Sequence, residues 1–226
     1  MLLREISMYL MGSWKDQDIE EKYLKDVRLL STRCVCTLVE RLLGKTVHTA
    51  DTQKINLMWV PKVRNDRIIT YHLGITEKQI EYDYKLYCSM SDDAKKKETI
   101  RLIREYVGDI FLKKGWDYTA LMEACDEAER LGLHNQWIAK KPKNNKSRSV
   151  TAEIEVVHEI DTFTINVVFR NKKTGEEERI MLYETDRPDD YLCYDYLGKF
   201  MWTNNEEIEL HHKWTGKVMR AKCSIV

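Results

Sequence analysis

Residues 151–184, TAEIEVVHEIDTFTINVVFRNKKTGEEERIMLYE, decide the fold. Ile154, Val156 and Ile160 alternate with Glu153, Glu155 and Glu159, and Phe163, Ile165, Val167 and Phe169 alternate with Thr164, Asn166 and Arg170. In an extended chain successive side chains leave from opposite faces, so each run is a strand with one buried and one wet face. Asn171-Lys172-Lys173-Thr174-Gly175 is turn chemistry, after which Ile180 and Leu182 continue the inward set. Toward the C terminus Asn204-Asn205 and Thr215-Gly216 punctuate further strands near 200–203, 208–213 and 217–223. The pattern predicts an antiparallel β-meander over 150–226.

Working back, Lys140 to Arg148 holds five positive charges and no large apolar residue, which reads as a linker or loop over 140–149. Before it, residues 1–139 mix two periods. Tyr23, Val27, Leu30, Cys34, Leu38 and Leu42 fall at steps of three and four, the stripe of a helix over Asp18–Leu43, with Gly44 just past its end. Ile55–Val60, a turn at Arg64–Asp66, and Arg67–Leu73 read as a hairpin. Residues 76–90 fit two patterns: Thr76 with Gln79 resembles a capping box, while Ile80, Tyr82, Tyr84 and Leu86 alternate with charged residues. The alternation favours a third strand. Ser91-Asp92-Asp93 starts a helix with the stripe Ile100, Ile103, Val107 and Ile110, closed by Gly115, and Asp117 starts another ending before Gly132. The expected class is α+β: N-terminal helices with a small antiparallel sheet, then the C-terminal meander, as two domains or packed as one.

At 226 residues the chain can bury its own core without metal or disulfide staples. Lys plus Arg (37) equals Asp plus Glu (37), so no global field steers it to nucleic acid or an anionic membrane. Nowhere do enough apolar residues run together for a membrane-spanning helix. The six cysteines are scattered and residues 1–11 lack a secretory pattern, so the expected setting is cytoplasmic, with free thiols.

Catalytic and cofactor signatures are sparse. There is no Gly-x-Ser-x-Gly, phosphate loop, dinucleotide fingerprint or His-Glu-x-x-His, and no cofactor is expected. Cys34 and Cys36 lie two apart within a predicted helix and point in different directions. His211 and His212, adjacent on a predicted strand, face opposite sides, and His158 sits on an apolar face. One arrangement resembles an enzyme. A helix carrying Glu20, Glu21 and Glu40 precedes three predicted strands, with Asp66 opening the second and Asp83-Tyr84-Lys85 on the third. This order is similar to the core of the PD-(D/E)xK nucleases, which implies Mg²⁺ held by Asp66 and Asp83 and a water oriented by Lys85. Asn65, where that family has proline, departs from the pattern.

The other candidate is the acidic, aromatic run 186–196, with Asp189, Asp190, Tyr191, Tyr194, Asp195 and Tyr196, followed by Trp202. Tyrosines offer large rigid contact area, and carboxylates select basic partners. The expectation is a non-enzymatic protein-binding module presenting these residues to another, basic protein, in the manner of an immunity-type inhibitor covering a toxin or nuclease. Lys140–Arg148 offers a basic arm for nucleic acid, which the balanced charge of the chain disfavours.

Overall fold

A computed structural model describes residues 1–11 and 29–226. Tyr23, Val27, Glu20, Glu21 and the start of the helix expected from Asp18 lie outside the described residues. No described helix is long and apolar enough to cross a membrane. The chain divides into two compact units, Met1–His134 and Asn135–Val226.

The first unit runs β1 (Glu5–Leu10), α1 (Leu30–Leu43), β2 (Lys54–Val60), β3 (Ile69–Tyr71), β4 (Ile75–Glu81), α2 (Tyr84–Ser89), α3 (Asp92–Leu102), a π turn (Ile103–Val107), α4 (Gly108–Lys114) and α5 (Tyr118–Arg130). Its sheet is ordered β1-β2-β4-β3. The expected hairpin of Ile55–Val60 with Arg67–Leu73 is not formed, because β2 pairs in parallel with both β1 and β4. Ile55 to Val60 are all buried, and such a strand takes its partners from distant segments rather than from its neighbour. The intervening loop is fastened instead by Gln79, whose Oε1 accepts from the N–H groups of Arg64 (3.0 Å) and Asn65 (3.2 Å). The antiparallel pair is β3 with β4. It turns at Gly74 (φ +74°), where a side chain would be strained and would crowd Gln53 and Met1 at 3.1 Å.

The free edge of β1 is closed by α1. Glu40 Oε1 accepts from the Ile6 N–H (2.8 Å) and Arg33 Nη1 donates to the Ile6 carbonyl (2.5 Å). Arg33, 1% exposed, also pairs with Glu40 at 3.2 Å. Two side chains thus stand where a further strand would pair. The third strand expected through Leu86 stops at Glu81, Thr76 and Gln79 lie inside that strand rather than at a helix start, and Asp83 caps α2, with Tyr84 and Tyr87 buried. The Asp83 carboxylate, accepting from the Lys85 and Leu86 N–H groups, ends the alternation that Ile80, Tyr82, Tyr84 and Leu86 suggest. Ser91 caps α3, Gly115 (φ +67°) closes α4 and Asp117 caps α5, as the capping chemistry predicts.

The second unit is antiparallel throughout: β5 (Asn135–Asn144), β6 (Val150–His158), β7 (Phe163–Asn171), β8 (Glu177–Thr185), α6 (Asp190–Tyr194), β9 (Phe200–Trp202), β10 (Glu207–His211) and β11 (Val218–Lys222). Two sheets, β5-β6-β7-β8 and β11-β10-β9, share one core in which Ile154, Val156, Ile165, Val167 and Phe169 meet Phe200, Ile208, Leu210, Met219 and Cys193. The C-terminal meander is therefore a small sandwich. The basic stretch from Lys140, expected as a linker, is strand as far as Asn144. Its register on β6 breaks between Ile138 and Lys140 and again between Lys140 and Lys143, which erases the period of two. Lysines on an irregular edge strand also discourage pairing with another chain.

Candidate functional site

The acidic, aromatic run folds as a short helical turn on the second unit. Asp189 caps α6, its Oδ1 accepting from the Tyr191 N–H (3.2 Å). Cys193 plugs the core from this turn, and burial pushes its thiol up to about 12. A five-residue helix exposes one side, and here that side carries Tyr191 and Leu192, 50% and 60% exposed.

The seven residues expected to bind a partner are not brought to one exposed patch. Asp190 is buried. Half-buried Tyr194 packs edge-on against Trp137 and Phe163, with ring centres 6.2 and 6.1 Å away. Tyr196 stacks on Tyr183 at 3.9 Å, meets the His212 ring edge at 4.7 Å and lies 5.1 Å from the Lys217 ammonium. Burial and a hydrogen bond with Tyr196 push the Tyr183 phenol up to about 12. Trp202 lies on Phe169 at 5.5 Å and donates its indole N–H to the Lys143 carbonyl (3.0 Å). Tyr194, Tyr196 and Trp202 are therefore largely structural, and Tyr191 is the expected residue that stands well clear of the surface.

Asp195 has a different role. Its Oδ1 accepts from the indole N–H of Trp214 (3.0 Å), its carbonyl accepts from the Lys213 N–H (2.7 Å), and its carboxylate lies 3.9 Å from Lys213 Nζ. Trp214 is 78% exposed, at the turn between β10 and β11. The same turn is held by His212, whose Nδ1 accepts from the N–H groups of Trp214 (3.1 Å) and Thr215 (3.3 Å). A ring nitrogen that accepts carries no proton. Trp214 thus combines a large solvent-facing ring with a fixed backbone and an anchored indole. Sequence reading missed it, because Thr215-Gly216 marked the segment as a turn. The available signal was a tryptophan inside turn chemistry, where neither face of a strand requires one.

Lysines gather beside this patch. Lys143 Nζ donates to the Phe200 carbonyl (2.7 Å), which ties β5 to β9. Lys140 has its ammonium pKa lowered first by burial and then by the nearby charges of Lys213 and Lys143.

The residues expected to form a nuclease centre lie apart. Asp83 accepts from the N–H groups of Lys85 (2.9 Å) and Leu86 (3.2 Å) as the cap of α2, so Asp83 and Lys85 do not share a strand face. They line an open depression with Pro61, Glu81 and Tyr82, whereas Asp66 lines another with Arg67, Ile68, Lys113 and Lys114. Glu40 is engaged with Arg33 and Ile6. Among the described residues no three His, Cys, Asp or Glu side chains converge as metal ligands. His158 is buried with its ring 5.1 Å from Phe163, and the six cysteines are free thiols. No protein-family model, curated protein or solved structure matches this chain.

Proposed function

We propose that this protein is a protein-binding module that docks a partner on the surface of its second unit around Trp214, Tyr191 and Leu192. The observation that carries the reading is Trp214, 78% exposed yet held by Asp195 through its indole and by His212 through its backbone. An exposed aromatic that is already ordered gives up little conformational freedom on binding, and tryptophan and tyrosine dominate the energetics of protein interfaces. Tyr191 and Leu192, both exposed, precede Asp195 by four and three residues, the spacing of one turn.

An immunity-type inhibitor is one form such a module takes, and the reading accommodates a toxin as the partner. The carboxylates expected to meet a basic toxin are however committed within the unit: Asp189 to a helix cap, Asp190 to the interior and Asp195 to Trp214. The chemistry of the surface favours aromatic and apolar docking over an acidic cover.

The test uses the purified full chain as bait in extract of its source cells, followed by titration of the recovered protein against wild type, Trp214→Ala and Leu192→Arg. A partner bound stoichiometrically by wild type and lost by both variants supports the reading. A partner held equally by all three chains refutes it.

A further inference from the structure

We propose that the segment docking beside Trp214 is rich in carboxylates and is received by Lys140, Lys143 and Lys213, an assignment that rests on the protein-docking reading above. Four basic side chains of the second unit are paired within it: Arg170 with Glu177, Arg179 with Glu155, Arg220 with Glu209 and Lys222 with Glu206. Lys140 and Lys143 have no carboxylate within ion-pair distance among the described residues. Lys213 has only Asp195, at 3.9 Å, and that carboxylate already accepts from the Trp214 indole.

The fold, rather than chance exposure, brings these lysines together. Lys143 is fastened to β9 at both ends, its ammonium on the Phe200 carbonyl and its own carbonyl under the Trp202 indole. Phe200 pairs with Leu210 on β10, and that strand leads directly into the turn bearing Lys213 and Trp214. Lys140 is close enough to both other lysines for their charges to disfavour its own. Converging like charges next to a single, committed carboxylate are unfavourable in the unbound protein, and an arriving anion relieves the repulsion. Trp214, whose indole is bonded to the carboxylate beside Lys213, is apolar surface of the kind a protein segment buries, which distinguishes this patch from a plain electrostatic track for a nucleic-acid backbone. The sequence pointed to a basic partner on account of its aspartates, but Asp190 is buried, Asp189 caps a helix and Asp195 accepts from the Trp214 indole.

Three fluorescent probes test the assignment by anisotropy: a short Glu/Asp-rich peptide with a central Leu-Phe pair, a Lys-rich peptide with the same centre, and a single-stranded oligonucleotide of matched charge. The acidic peptide is expected to bind, to weaken at least about tenfold in the Lys140→Gln/Lys213→Gln double variant, and to weaken with added salt. Binding of the Lys-rich peptide instead, an equal affinity in the double variant, or no binding of the acidic peptide each overturns the proposal. Tighter binding of the oligonucleotide, lost in the same variant, overturns it in favour of nucleic acid. The docking reading is judged separately: a recovered partner that ignores the lysine substitutions but is lost with Trp214→Ala sinks the acidic segment and leaves the docking surface standing. Circular dichroism of each variant establishes that it is folded.

Discussion

Arg33 and Glu40 test whether the first unit depends on a side-chain substitute for a missing strand. Replacing Arg33 with Met keeps the length of the apolar stem but removes the guanidinium that reaches the Ile6 carbonyl, the Ser7 hydroxyl and Glu40. The remaining Glu40 carboxylate is 16% exposed and loses the Arg33 guanidinium. Breaking a buried pair from one side costs about 3–5 kcal/mol, and the orphaned Ile6 carbonyl accounts for about 1–3 kcal/mol of that. Glu40→Gln still accepts from the Ile6 N–H and should cost less, about 1–2 kcal/mol. The double variant Arg33→Met/Glu40→Leu leaves no buried charge without a partner, so its loss should fall well short of the sum of the two single truncations. Urea unfolding followed by circular dichroism gives the free energies, and hydrogen exchange at the Ile6 amide reports the edge directly. A loss below about 1 kcal/mol for Arg33→Met, or strict additivity in the double variant, would show that the edge is held by something other than these two side chains.

Other expectations concern the site and its scaffold. Trp214→Ala should change stability by less than about 0.5 kcal/mol, because its ring is mostly in water; a larger loss in thermal unfolding would make it a structural residue. Asp83→Ala removes the cap from α2 and should destabilise the first unit by about 1 kcal/mol; no change in the urea midpoint would contradict the capping role. Cys125 and Cys193, both raised to about 12 by burial, should resist a thiol-specific reagent at pH 8 until the protein unfolds, while half-buried Cys88 reacts first. The same shifts give a pH dependence. Their folded pKa values lie above the ordinary value of 9.0, so the stabilisation is fully present below pH 9 and is lost as pH rises toward about 12. Unfolding free energies that stay flat or increase between pH 9 and 11 would contradict it.

Much of this protein is legible in its sequence wherever one physical rule acts locally. The period of two in Ile154, Val156, Ile165 and Val167 specifies strands with one buried face, and these four residues do line the sandwich core. Ser91, Asp117 and Gly115 set helix ends through hydrogen bonds and a left-handed backbone that depend only on near neighbours. What the sequence could not carry is pairing between distant segments. Glu5–Leu10 is short and mixed in composition, and it becomes a strand because β2 lies alongside and Arg33 and Glu40 close its outer edge. The parallel pairing of β2 with β1 and β4 likewise depends on connections that cross over between distant segments. The same division governs the site. Composition alone placed a tyrosine- and aspartate-rich segment in the second unit, but only packing decided that Asp190 is interior, that Tyr196 stacks on Tyr183, and that Asp195 turns toward Trp214. Charge read along a chain counts every carboxylate as available, whereas the tertiary structure commits these aspartates to the interior, a cap and an anchor, because hydrogen-bond partners and burial are set by segments distant in sequence.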